Sequence, residues 1–236
     1  MVGVALFGST VFLVQYFQIS RGMTPTHAGL MTLCLVGGLL VSSITSGRLI
    51  ASTGRWKRYL VAGATLMVVG ISLLSTIDPD ISLVTVGAFM AVLGVGMGAV
   101  NQNLVLSVQN NAAQADIGAA SSLVAFFRTM GGSIGVSALG TALGHKVSSG
   151  IADGFTRIGG VPPTSTGGTD IPDMSTLPDN IRPIVEGAFA QGTGHIFLLA
   201  IPFAVLALVA ILMIREVPLR ETIQREDELT VPHGRP

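Results

Sequence analysis

Ionised side chains are scarce in this chain, and the scarcity excludes most soluble folds. Asp, Glu, Lys and Arg make up 11% of 236 residues, against about 25% in a typical soluble chain. None occurs between Arg58 and Asp78, or between Asp80 and Asp116. A helix drawn from such a stretch is apolar on every side and has no face to offer water. Mean hydropathy is +0.67, so lipid is the solvent that fits. Aromatics are sparse at 6% and the formal net charge is zero. The basic residues form no stripe interleaved with aromatics, which argues against a nucleic-acid partner. A single cysteine, Cys34, precludes an internal disulfide. Within its apolar run it reads as a small core residue. No basic leader precedes the first apolar stretch, so no secretory signal peptide is read. The abrupt apolar start after Met1 suggests a chain that begins in mid-protein.

What is present is a series of long apolar runs. A hydrocarbon core about 30 Å thick needs roughly 20 mostly apolar residues in a helix. Six segments qualify, at about Val2–Ile19, Ala28–Ser46, Tyr59–Ile77, Ile81–Leu106, Ala119–Leu143 and Ile196–Ile214. Only helices or closed barrels satisfy every backbone group in lipid. The expectation is therefore an all-α membrane protein, a six-transmembrane-helix bundle. Residues 1–144 hold five of the helices. Residues 145–194 form a long, partly disordered outer loop with a possible short helix near Asn180–Ala190. Residues 195–214 are the last helix and 215–236 a charged tail. Lys and Arg set the orientation. Placing Arg48, Arg55, Lys57, Arg58, Arg215, Arg220, Arg225 and Arg235 inside leaves Arg21, Lys146, Arg157 and Arg182 outside, so both ends of the segment are expected in the cytoplasm of a cell membrane.

Nothing resembles an enzyme. Gly94-Val95-Gly96-Met97-Gly98 looks like a dinucleotide loop, but no strand precedes it and no acid follows at the right distance. His27, His145, His195 and His233 are scattered, without ligand spacing, so no metal or cofactor is expected. The Gly94/Gly98, Gly131/Gly135 and Gly140/Gly144 pairs instead fit close helix packing, which drives association in lipid. In the fifth span Ser121, Ala125, Arg128, Gly132, Gly135 and Leu139 share one stripe, which either touches another helix or lines a cavity.

Arg128 is the most informative residue. It lies on the order of 14 Å into its span, where a charge costs some 2.5 kcal/mol or more and normally faces a polar cavity or partner. Burial for packing alone, with snorkelling, is the alternative. None of the six expected spans holds an Asp or Glu. Gln15 and Gln18 in the first span, and Asn101, Gln102 and Asn103 in the fourth, followed by Gln109, either bond between helices or line a substrate path. The third and sixth spans are almost free of polar groups and are expected to face lipid, while the first, fourth and fifth face something wet.

The segment from Gly47 to Lys57, with Gly47, Leu49, Gly54, Arg55 and Lys57 at matching places, resembles the basic loop signature of the major facilitator superfamily. Ala51 stands at its acidic position, a departure common in the second-half copy of that loop. Tyr16-Phe17-Gln18 through Thr24-Pro25-Thr26-His27-Ala28-Gly29, and Phe127-Arg128-Thr129-Met130-Gly131-Gly132-Ser133-Ile134-Gly135, are similar to fourteen-span drug:proton antiporters of the EmrB/QacA type, as is a long outer loop before the last helix. The resemblance covers nearly the whole chain, but only that architecture's last six helices.

It implies the C-terminal half of a multidrug efflux transporter. The first, second, fourth and fifth helices would line a cavity for a hydrophobic or cationic small molecule. Protons would be coupled through an N-terminal half not present in this sequence. Gln15, Gln18, Asn101, Asn103 and Arg128 are the candidate cavity residues. Gly47, Arg48, Gly54, Arg55, Lys57 and Arg58 would set topology and gating at the inner loop, and Gly94, Gly98, Gly131 and Gly135 would pack helices. A homodimeric half-transporter and a non-transporting membrane anchor remain the alternatives.

Overall fold

A computed structural model describes residues 2–157 and 181–214. Six helices account for nearly all of them: α1 Val2–Ile19, α2 Pro25–Thr53, α3 Trp56–Leu74, α4 Leu83–Asn111, α5 Ile117–Arg157 and α6 Arg182–Met213. Each is long and apolar enough to cross a membrane. One 3-10 turn, Gln114–Asp116, links α4 to α5.

Local chemistry fixes the turns. Thr24 caps α2 by accepting from the backbone N–H of His27, its Oγ1 lies 2.8 Å from His27 Nδ1, and Pro25 opens the helix where its missing N–H costs nothing. Gly54 ends α2 in the left-handed region at φ 67° and returns its N–H to the Ile50 carbonyl. That conformation explains a glycine at this point of the basic segment. The stretch Arg48–Arg58, expected as a loop, is mostly helix, with only Gly54 and Arg55 between α2 and α3.

The later helices also outrun expectation. Residues 145–157 continue α5 where a loop is expected, and 182–194, overlapping the short helix expected near Asn180–Ala190, open α6 without a break. The remainder of that loop and the tail lie outside the described residues. A hydropathy window detects only the stretch within lipid, whereas α5, with 41 residues, is roughly 60 Å long at 1.5 Å per residue. That is about twice the hydrocarbon thickness, so part of α5 projects beyond it. There Val147, Ile151 and Phe155 turn inward with Val185 and Ala188 of α6, all buried, while Lys146 and Asp153 stay exposed. The longer helices therefore contain acids, Asp153 in α5 and Glu186 in α6, but in these projecting parts.

Packing centres on α4, which touches α2 and α3 extensively, while α6 bridges α3 and α5 and α1 lies along α5. Gly94 and Gly98 meet the carbonyls of Leu35 and Leu39 on α2, while Gly96, on the opposite side of α4, meets Met67 and Gly63 on α3. The glycine run that mimics a nucleotide loop is thus a two-sided backbone contact. On the α1–α5 side, Gly3 meets the Arg128 carbonyl, Gly132 the Phe7 ring and Gly135 the Val4 side chain. Gly131, expected to pack, faces open space; its neighbour Gly132 occupies the contact. Cys34, expected in the core, is exposed, because α2 turns only one narrow side to the bundle.

Exposure differs sharply between helices. About half of the most apolar stretch of α1 and of α4 is buried, against 17% in α2 and 6% in α5. The exposed side of α2 carries Leu33, Leu40 and Ile44, that of α5 Leu123, Phe127 and Ile134, and that of α6 Leu198, Leu206 and Leu212. The third helix, expected to face lipid, is held between α4 and α6 and exposes mainly Leu66 and Val69 among its large apolar residues.

Gly98→Ala should destabilise the bundle by about 1–3 kcal/mol, as overpacking does. Gly131→Ala should be neutral, or stabilise by up to about 1 kcal/mol through helix propensity. Unfolding of the two purified variants in one detergent checks the contrast.

Candidate functional site

Polar side chains in lipid seek one another, and this bundle gathers them where α4 meets α5. The two helices touch only sparsely, and side-chain hydrogen bonds span the join. Arg128 Nη1 donates to Asn101 Oδ1 at 2.8 Å. Nearer the α4–α5 turn, Gln109 Nε2 donates to Ser121 Oγ at 3.1 Å. On the other flank of α4, Ser43 Oγ of α2 donates to Gln102 Oε1 at 3.3 Å. Together these bonds lay a polar ladder across α2, α4 and α5.

The geometry follows from helical spacing. Ser121, Arg128, Gly132 and Gly135 fall within one narrow sector of α5, so one face passes from polar contacts with α4 to glycine contacts with α1. The exposed apolar stripe of Leu123, Phe127 and Ile134 lies on the opposite side. Asn101 lies ten residues before the end of α4 at Asn111, or about 15 Å along the axis. Measured from the α4–α5 turn, Arg128 and Asn101 thus meet at about half the thickness of a hydrocarbon core of about 30 Å. Both are half-buried.

No acid answers this charge nearby. The acids among the described residues are Asp78, Asp80, Asp116, Asp153 and Glu186, all in turns or at the outer reaches of helices. Among these residues the one ion pair is Arg182–Glu186, at 2.9 Å on the surface of α6. Neutral Asn101 orients the guanidinium and leaves its positive charge in place.

The other expected residues divide. Gln15 and Gln18 are half-buried on α1, beside fully buried Tyr16 and Phe17. Asn103, expected beside Asn101 in the cavity, is fully enclosed, with neither amide atom hydrogen-bonded. Two helical residues are about 200° apart, so Asn103 turns into the packed side of α4 when Asn101 faces α5. Arg48, Arg55 and Arg58 are exposed and Lys57 half-buried around the α2–α3 turn, while Trp56 beside them is buried against Ile50 and Leu60. A half-open cleft among α1, α3, α5 and α6 holds about 30 Å³, is lined by Phe12, Met67 and Ile196 among others, and has room for about one water. A wider, open cleft of about 420 Å³ lies at the turns, lined by Arg21, Asp80, Arg182 and Glu186 among others, away from the α4–α5 join.

One cluster had no sequence signal. Arg21 Nε donates to Tyr16 OH at 3.0 Å, its guanidinium also donates to the Ile81 carbonyl, and Tyr16 OH donates to the Asp78 carbonyl at 3.3 Å. The cation also lies 5.9 Å from the centre of the Tyr16 ring. This group fastens the α1–α2 turn to the α3–α4 turn, about 60 positions away in the chain.

A double-mutant cycle of Asn101→Ala and Arg128→Ala, read by reversible unfolding, should give a coupling of about 0.6–1.7 kcal/mol, the range for hydrogen bonds between membrane helices. The control cycle of Asn103→Ala with Arg128→Ala should give none.

Comparison with known proteins agrees with this architecture. Residues 1–136 match the sequence profile of the Major Facilitator Superfamily. An uncharacterised MFS-type transporter of Mycobacterium tuberculosis is 33% identical over the whole chain, which covers 34% of that protein. The multidrug transporter protein MdtP of Bacillus subtilis is 28% identical over 64% of the chain and 28% of its own length. A tetracycline resistance determinant of Streptomyces rimosus is 31% identical over 58% of the chain and 40% of its own length. The chain spans about a third of the length of the curated relatives it matches. On the profile match and the full-length similarity, this multi-pass membrane chain belongs to the Major Facilitator Superfamily.

Proposed function

We propose that this chain is the C-terminal six-helix half of a fourteen-span multidrug efflux transporter, exporting hydrophobic small molecules in exchange for protons. The single observation that carries the reading is the Arg128–Asn101 pair, a charged and an amide side chain bonded near mid-depth on the sparsely packed join of α4 and α5. A charge is kept at that depth when it faces a path for solute or water. The names of relatives support efflux, since they include a multidrug transporter and a tetracycline resistance determinant. Large exposed apolar faces on α2 and α5 support a partner half across them, with lipid covering α6.

In this reading the half rocks as a unit against its partner around a midplane site. Glycine contacts along α4 and the Arg21 cluster at the turns make it stiff enough to do so. Both ends of the segment lie in the cytoplasm. Arg48, Arg55, Lys57 and Arg58 then sit at the inner surface, where the lipid headgroup charge favours them, and gate the inward-open state. Proton coupling resides in the partner half, a reading supported by the acids among the described residues, which lie away from the site.

Everted membrane vesicles containing the complete protein should accumulate a fluorescent dye in their lumen when an inside-acid proton gradient is imposed, and stop when a protonophore collapses it. Arg128→Ala should abolish efflux at unchanged expression. Unchanged efflux would return Arg128 to a packing role.

A further inference from the structure

The charge balance around Arg128 carries the function one step further, to the class of molecule this half accepts. The guanidinium is fixed on one side by Asn101 Oδ1, and a guanidinium has five N–H donors. The neighbouring polar partners, Gln102, Gln109, Ser43 and Ser121, are neutral and already bonded to one another across the helix joins. The nearest acid along α5 towards the α4–α5 turn is Asp116, at its threshold, roughly 18 Å of helix away. Towards the other end it is Asp153, roughly 37 Å away. Among the described residues Asn101 is the bonded partner of the guanidinium, which thus keeps further donors to offer where water screens poorly.

We infer that Arg128 is the anion-recognising group of the substrate site, so that the preferred substrates are amphiphiles carrying a carboxylate or comparable oxyanion. A carboxylate reaching Arg128 meets a planar fork of donors suited to two parallel hydrogen bonds. Its apolar body lies along the open face of the bundle. A cationic amphiphile of the same shape meets the same charge with repulsion, and no acid among the described residues pairs with Arg128 to offset it. The inference rests on the transport reading for its biological meaning, but binding at Arg128 is a property of the site itself. The competing occupant is a carboxylate of the remainder of the protein, which would pair with Arg128 and leave the site neutral.

The test uses two xanthene dyes of similar size, anionic fluorescein and cationic rhodamine 6G. Each is titrated by fluorescence anisotropy into the detergent-purified complete protein and its Arg128→Gln, Arg128→Lys and Lys146→Gln variants. The wild type should bind fluorescein more tightly. Arg128→Gln should weaken fluorescein by about 10- to 100-fold, as expected for losing hydrogen bonds to a charged group, and erase the preference. Arg128→Lys should keep a reduced preference, because the charge remains and the fork is lost. Lys146→Gln, which removes an exposed cation from the projecting part of α5, should leave the preference intact, which separates the effect at Arg128 from a general change of charge.

Tighter rhodamine binding in Arg128→Gln, with fluorescein unchanged, would overturn the inference in favour of a carboxylate elsewhere in the protein. Equal binding of both dyes by wild type, or binding of neither, would also overturn it. Efflux from vesicles is read separately. Selective binding without export would sink the transport reading and leave the anion site standing.

Discussion

Apolar side chains gain little in lipid by touching each other rather than acyl chains, so the bundle must be held by close packing and by polar bonds. Every other feature of this chain answers that constraint. On α4, Gly94 and Gly98 bring the backbone against α2 while Gly96 brings it against α3. That helix serves as a common spine for its neighbours. On the other side, Gly3, Gly132 and Gly135 let α1 and α5 close to the same degree. Where glycines give out, between α4 and α5, hydrogen bonds from Arg128 and Gln109 span the gap. The chemistry that is costly in lipid is therefore concentrated where packing is sparse, and a solute path would run there.

The same division explains what the sequence disclosed. Six helices were legible because an apolar run about 20 residues long has few other readings in a chain so poor in charge. Arg128 was legible because a lone charge inside such a run is costly. Its bond to Asn101 was not, since two residues 27 positions apart come together only after α4 and α5 fold back. Asn101 and Asn103 look equivalent in sequence, yet helical rotation points one at α5 and encloses the other. Gly131 and Gly132 divide in the same way, one facing open space and one meeting Phe7. The projecting part of α5 and α6 was hidden because hydropathy reports lipid contact rather than helicity. Its Val147, Ile151, Phe155 and Val185 follow the ordinary inward pattern of a water-bathed hairpin.

The exposed apolar sides of α2, α5 and α6 give the half-bundle unequal surroundings. The candidate polar residues lie on α1, α4 and α5, beside the exposed faces of α2 and α5, whereas α6 carries none of them and packs against α3 and α5. A partner across α2 and α5 would enclose the Arg128 region, and lipid across α6 would leave it untouched. The positive charge without a neighbouring acid then becomes a property of the enclosed path rather than of the membrane surface. In the proposed reading, substrate contact falls to this chain and proton handling to its partner half.

Water access along the α4–α5 join tests the central claim most directly. In the complete protein carrying Cys34→Ser, single cysteines would replace Asn101, Gln109 and, as a lipid-facing reference, Leu206. Each would be treated in native membranes with a membrane-impermeant, charged thiol reagent. Rapid modification at positions 101 and 109, with none at 206, is the predicted result. Equal inertness at all three positions would show a dry, packed join and contradict a solute path past Arg128.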